Sequence, residues 1–99
     1  MMTSHEGLVD QYCSVLRSYL ANFEEKDLQG GYELGRLALA KGLGLLEMAS
    51  VHHTALTFSL MDVSEIRERT RIIRGAERFF IETMTPFEMS LRGFQEVNA

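Results

Sequence analysis

The residues of this 99-residue sequence that could do chemistry are few: the adjacent pair His52 and His53, the single Cys13, two short glycine clusters and a row of four arginines. The paired histidines fall within a helical pattern, where neighbours point about 100° apart, so one helix cannot direct both at the same ion. A di-iron bundle would need Glu-x-x-His on each of two helices. Glu47 precedes His52 by five residues and has no second copy. His52 instead lies on an apolar face, which predicts a hydrogen-bonded core histidine. Cys13 sits mid-helix, away from the electropositive helix end that would lower a thiol pKa, which argues against a nucleophile. Gly30-Gly31 and Gly42-x-Gly44 follow helical patterns rather than strands and lack a P-loop lysine. No catalytic residue, cofactor or metal site is expected.

Arg67, Arg71, Arg74 and Arg78 recur at i, i+4, i+7 and i+11, a basic stripe on one helix face, with Glu65 and Arg69 paired alongside. Such a stripe is either a solvated face or a site for an anion or an acidic partner. The same row continues through Ile81, Thr85, Glu88 and Arg92. Ile81 is therefore an aliphatic side chain on an otherwise polar row, waiting either for another helix of the same chain or for a partner.

The elements that must position these residues read as four helices. Leu8, Tyr12, Val15, Leu16, Tyr19, Leu20 and Phe23 form the apolar stripe of the first, with Thr3 and Glu6 as its capping box. The charged run Glu24 to Asp27 interrupts it, and Asp27 is expected to cap a second helix reaching about Lys41. Gly30, Gly31 and Gly35 each weaken that helix, so tertiary packing must hold it, and they allow another backbone to come close. Gly42-Leu43-Gly44 punctuates the chain before a third helix, Leu45 to Leu60. That helix carries apolar groups on more than one side and is expected to be covered on more than one side. Asp62 with Glu65, and Met61 against Ile66, predict a capping box and staple that start helix four. Ile66, Ile73, Phe80, Phe87 and Phe94 then recur at sevens, beside Met84, Leu91 and Val97, a seam expected to serve as core or dimer contact over about thirty residues. Pro86 removes one backbone hydrogen bond inside it and should bend the rod.

Composition bounds the reading. The chain is 45% hydrophobic and 24% charged, with one proline and no tryptophan, as in a single all-α domain over residues 1–99. The pattern predicts an antiparallel four-helix bundle. So short a chain has a small core, which makes a homodimer attractive. A net charge of -4 argues against nucleic acid as a partner. The apolar stretch Leu37 to Ala49 contains Lys41 and Glu47 and is too short to span a bilayer, so no membrane segment is expected. One cysteine and no leader-like start favour the cytoplasm.

Tyr12-Cys13-Ser14-Val15-Leu16-Arg17-Ser18-Tyr19-Leu20, the acidic turn to Leu28, Ser50-Val51-His52 and Phe79-Phe80-Ile81-Glu82 together resemble the N-terminal domain of RsbU-like serine phosphatases. Thr85 to Met89 and Arg92 to Asn98 look like the end of such input domains where the last helix runs on toward an output domain, a phosphatase or a histidine kinase. The resemblance implies a non-catalytic helical input domain of bacterial stress signalling that homodimerises and receives an RsbT-like switch kinase or another regulator. The positions it implies for partner contact are Glu25 and Gln29 at the turn between helices one and two, and Ile81 and Thr85 in helix four. Pro86, Phe87 and the three glycines of helix two depart from that pattern. The alternative from a different class is a helical bundle holding a small molecule or metal around His52, with Met48 and Tyr12.

Overall fold

In the computed structural model, which describes residues 4–98 and the side-chain surroundings of residues 7–93, the chain is α1 (Ser4–Asn22), α2 (Glu25–Ala40), α3 (Leu45–Leu60) and α4 (Ile66–Asn98). No strand occurs among the described residues. The long dimension, 49 Å, is that of α4 alone, because 33 residues rise about 1.5 Å each. α1 and α4 each pack on all three other helices, and α2 and α3 are held apart by that pair.

The closest packing is between α2 and α4. A Cβ built on Gly35 would lie 1.9 Å from the Thr83 carbonyl oxygen, and one on Gly31 would lie 2.8 Å from the Phe79 ring. The glycines that weaken α2 locally are thus the ones that admit α4, as their spacing suggested. This contact fixes which row of α4 faces inward: Ile72, Ala76, Phe79, Thr83 and Phe87, all buried. The heptad seam expected from sequence is the neighbouring row. Of its members Phe87 is buried and Phe80 half-buried, but Ile73 is exposed and Ile66 is 77% exposed. Phe94 and Val97 have side chains outside the described surroundings, as do Thr3 and Glu6 of the expected first capping box. Inside the seam, Thr83 is the one buried polar side chain, and its hydroxyl donates to the Phe79 carbonyl at 3.0 Å. α4 runs unbroken through the buried Pro86.

The helix ends show how the turns are made. At the end of α2, Leu43 N–H donates to Ala38 O (3.1 Å) and Gly42 N–H to Leu39 O (3.0 Å), with Gly42 at φ 82°, a glycine-capped stop. The next helix starts with Gly44 N–H donating to Glu47 Oε1 at 3.1 Å. Two expected caps are different. α2 starts at Glu25, two residues before Asp27; Asp27 sits in the first turn and accepts from the Ser18 hydroxyl at 2.9 Å, tying α1 to α2. α4 starts at Ile66 rather than just after Asp62, and with Met61 and Ile66 both exposed no staple forms. Arg69 closes the α3–α4 turn in a different way: its guanidinium donates to Val63 O at 2.7 Å and to Leu60 O, the last carbonyl of α3, at 3.3 Å.

α1 carries the aromatic centre. Tyr12 is fully buried, edge-on to Phe79 at 5.0 Å, and its hydroxyl lies 2.9 Å from His52 Nδ1. The His52 ring is stacked on Phe80 at 4.3 Å. His52 is therefore the hydrogen-bonded packing histidine its position predicted. Burial raises the Tyr12 pKa, so the hydroxyl stays protonated. Burial, with the neighbouring His53 adding to it, lowers the His52 pKa from its ordinary 6.5. On α3 only Met48, Val51 and Ala55 are fully buried; Leu45, Phe58 and above all Leu46, 87% exposed, leave its second side uncovered within the chain, against expectation.

Two measurements check this packing. Gly35→Ala forces a methyl onto a carbonyl that cannot move without shifting α4, and should cost about 3 kcal/mol or more in urea unfolding. Gly93→Ala, with nothing within 4 Å, should cost nothing and gain up to about 1 kcal/mol of helix propensity. Because the folded pKa of His52 is depressed, the unfolded chain binds the extra proton first. Stability is then complete above pH 6.5 and falls as pH drops below it. Thermal unfolding between pH 7.5 and 5.5 should show this loss, and His52→Gln should flatten it.

Candidate partner-binding surface

α4 exposes two separate flanks, because inward-facing Phe79 and Thr83 fix its rotation and each residue turns about 100°. One flank carries Arg67, Arg71, Arg74, Arg78, Ile81 and Thr85; the other carries Ile66, Ile73, Phe80, Met84 and Leu91 beside α3. Ile81 lies nearly opposite the Phe79–Thr83 contact line and is 51% exposed, so no helix of its own chain covers it. Thr85 is half-buried and its hydroxyl donates back to the Ile81 carbonyl at 2.8 Å.

Glu25 is the first residue of α2, exposed at the α1–α2 turn; Gln29, one turn on, is exposed and donates to Glu33 Oε1 at 3.0 Å. The structure links the turn to α4 through Tyr19. Burial raises the pKa of its hydroxyl, Arg78 opposes that shift, and Glu25 and Glu82 add to it. The Tyr19 hydroxyl therefore lies within electrostatic reach of Glu25 on α2 and of Arg78 and Glu82 on α4. Arg78 and Glu82 are themselves paired at 3.4 Å.

The arginines have unequal surroundings. Arg71 is paired with Glu68, donates to the Leu20 carbonyl at the end of α1 at 2.6 Å, and lies 5.1 Å over the Phe23 ring. That pairing holds the Glu68 carboxyl below its usual range. Arg67 and Arg74 make no ion pair among the described residues. Phe23, expected on the apolar stripe of helix one, lies beyond the end of that helix and is 44% exposed. It follows the last residue of α1 with φ 52°, a left-handed conformation rare for a bulky side chain, and packs edge-on to Tyr19 at 5.2 Å and against Gly75, where a Cβ would meet its ring at 2.8 Å. The signal available was Gly75, a glycine inside α4 next to Arg74.

On the opposite flank, Leu39, Leu45, Met84, Phe87 and Leu91 line an open apolar cavity of about 420 Å³. Burial pushes the Cys13 thiol up, the opposite of what a nucleophile needs. Among the described residues no group of three His, Cys, Asp or Glu is placed to hold a metal ion, and no helix is long and apolar enough to cross a membrane.

Comparisons with curated proteins and with solved structures return no match. A sequence model of one family does match, described as the N-terminal domain of the phosphoserine phosphatase RsbU, over residues 10–90. The matched span runs from within α1 to about three quarters of the way along α4 and includes the α1–α2 turn, Phe23, Ile81 and Thr85. A regulatory rather than catalytic helical domain fits the absence of any activated nucleophile at Cys13 or His52, and the chain belongs to the family of RsbU N-terminal domains.

Proposed function

We propose that the chain is a signal-input domain that homodimerises and binds an RsbT-like switch protein, controlling a phosphatase or kinase output in bacterial stress signalling in the cytoplasm. The single observation that carries the docking half is Ile81: an exposed aliphatic diametrically opposite the core contact of α4, with the charged pair Arg78–Glu82 beside it and Glu25 of the α1–α2 turn acting on the same tyrosine. Glu25, Gln29, Ile81 and Thr85 form the regulator's contact. A desolvated aliphatic framed by charges is the usual make-up of an interface centre.

The dimer half rests on the heptad flank. Of the row Ile66, Ile73, Phe80, Phe87 and Phe94, the exposed Ile66 and Ile73 and the half-buried Phe80 offer a line on α4 to a second copy's equivalent line, while Phe87 serves the chain's own core. Exposed Leu45 and Leu91 widen that line toward α3, and the 420 Å³ apolar cavity continues it. The antiparallel arrangement of the four helices is supported by pairing: Tyr12 meets Phe79 whereas Leu20, later in α1, meets Arg71, earlier in α4. The last helical residues, Glu88 to Gly93, are exposed beyond the final core residue Phe87, as suits a rod that carries a signal onward.

Sedimentation equilibrium should give a dimer for the wild-type chain and a monomer of unchanged helicity for Ile73→Glu, since a buried charge at a twofold seam is unpaired. A monomeric wild type removes the dimer. Ile81→Asp should lower affinity for the switch protein at least about tenfold with unchanged helicity and unchanged dimerisation; retained affinity removes Ile81 from the contact.

A further inference from the structure

We infer that the groove between α4 and the end of α1 binds an acidic segment of a partner protein, separately from the regulator contact at Ile81. Arg67, Arg71, Arg74 and Arg78 line this open groove of about 450 Å³ together with Phe23 and Gly75, and no carboxylate lines it. Glu68 neutralises Arg71 and Glu82 neutralises Arg78 from outside the groove, which leaves the guanidiniums of Arg67 and Arg74 with their charge uncompensated among the described residues. A chain of net charge -4 thus concentrates unpaired positive charge in one concave place.

The groove is built rather than incidental. Phe23 holds a left-handed backbone to put its ring, 44% exposed, beneath Arg71, and Gly75 supplies the space it needs. The ring and the Leu20 carbonyl pin the Arg71 guanidinium in one orientation, so part of the ordering cost of binding is already met. Planar guanidiniums present paired donors that match carboxylates.

Dimensions select the occupant. Arg67 to Arg78 spans about 16 Å of helix, three turns, too long for one phosphate but matched by five or six extended residues at about 3.3 Å each. Glu65, Glu68, Glu77 and Glu82 are interleaved along the same helix and would repel a continuous row of phosphates. The net charge opposes approach to an anionic bilayer. A short flexible peptide meets the same repulsion but can settle its carboxylates on Arg67 and Arg74 and turn the rest of its chain away from those glutamates, which a continuous phosphate row or a flat bilayer cannot do.

The probe is fluorescein-labelled hexaglutamate, titrated by anisotropy into the full chain at low salt. Saturable binding is expected, weaker at physiological salt. Arg67→Glu/Arg74→Glu should weaken it at least about tenfold without lowering the unfolding midpoint, because both side chains are exposed. Arg17→Glu/Arg36→Glu, which changes net charge equally elsewhere, should leave it within about twofold. The proposal is overturned by the absence of saturable binding, by equal losses in the two variants, or by displacement with inorganic phosphate at matching concentration, which would mark a single-anion site. It is also overturned if phosphatidylserine vesicles or a single-stranded oligonucleotide bind the same arginines more tightly than the peptide. The regulator contact is tested by Ile81→Asp, so either idea can fail alone.

Discussion

The contact on which the rest depends is a backbone oxygen lodged against a residue without a side chain. The Thr83 carbonyl occupies the space a Gly35 Cβ would need, and the Phe79 ring fills the corresponding space at Gly31. Backbone against backbone leaves no rotamer to adjust, so α4 has one permitted rotation and one permitted height relative to α2. Everything outward on α4 follows from that choice. Were α4 turned by a single residue, the arginines would swing away from Phe23 and Ile81 would leave its charged frame.

A second constraint ties α1 into the same arrangement. Phe79 sits between Gly31 on one side and Tyr12 on the other, and Tyr12 reaches His52 on α3. One phenylalanine and one tyrosine therefore join all four helices, which explains how a domain with so small a core holds a helix as glycine-rich as α2. The local cost of those glycines is offset by the closeness they permit.

Much of this was legible beforehand where one local rule acts alone. The limits of α3, the glycine stop at Gly42 and the close approach announced by Gly31 and Gly35 needed only propensity and turn chemistry. The packing role of His52 followed from its apolar face. The failures came where two rules compete. Asp27 satisfies the rule for a cap but is drawn instead to Ser18, and past Asp62 the turn is closed by Arg69 on the Leu60 and Val63 carbonyls, from a position no local pattern reveals. The seven-residue row on α4 was real, yet the inward row is its neighbour, since both carry apolar groups and only contact with the α2 glycines decides between them. Phe23 was expected to continue the α1 stripe, but its conformation is set by Tyr19 together with Gly75 and Arg71, which lie some fifty residues away in sequence. The matched family explains the helical frame and the regulatory class; Arg67 and Arg74 acquire meaning only from the groove they border.

The centres of the two outer flanks of α4 lie about a third of a turn apart around its axis. A rod with that cross-section can be gripped from both sides at once, and neither occupant shadows the other. Were two copies to pair along the apolar flank as proposed, both basic flanks would stay uncovered and face away from each other, and such a pair would take one guest for each host.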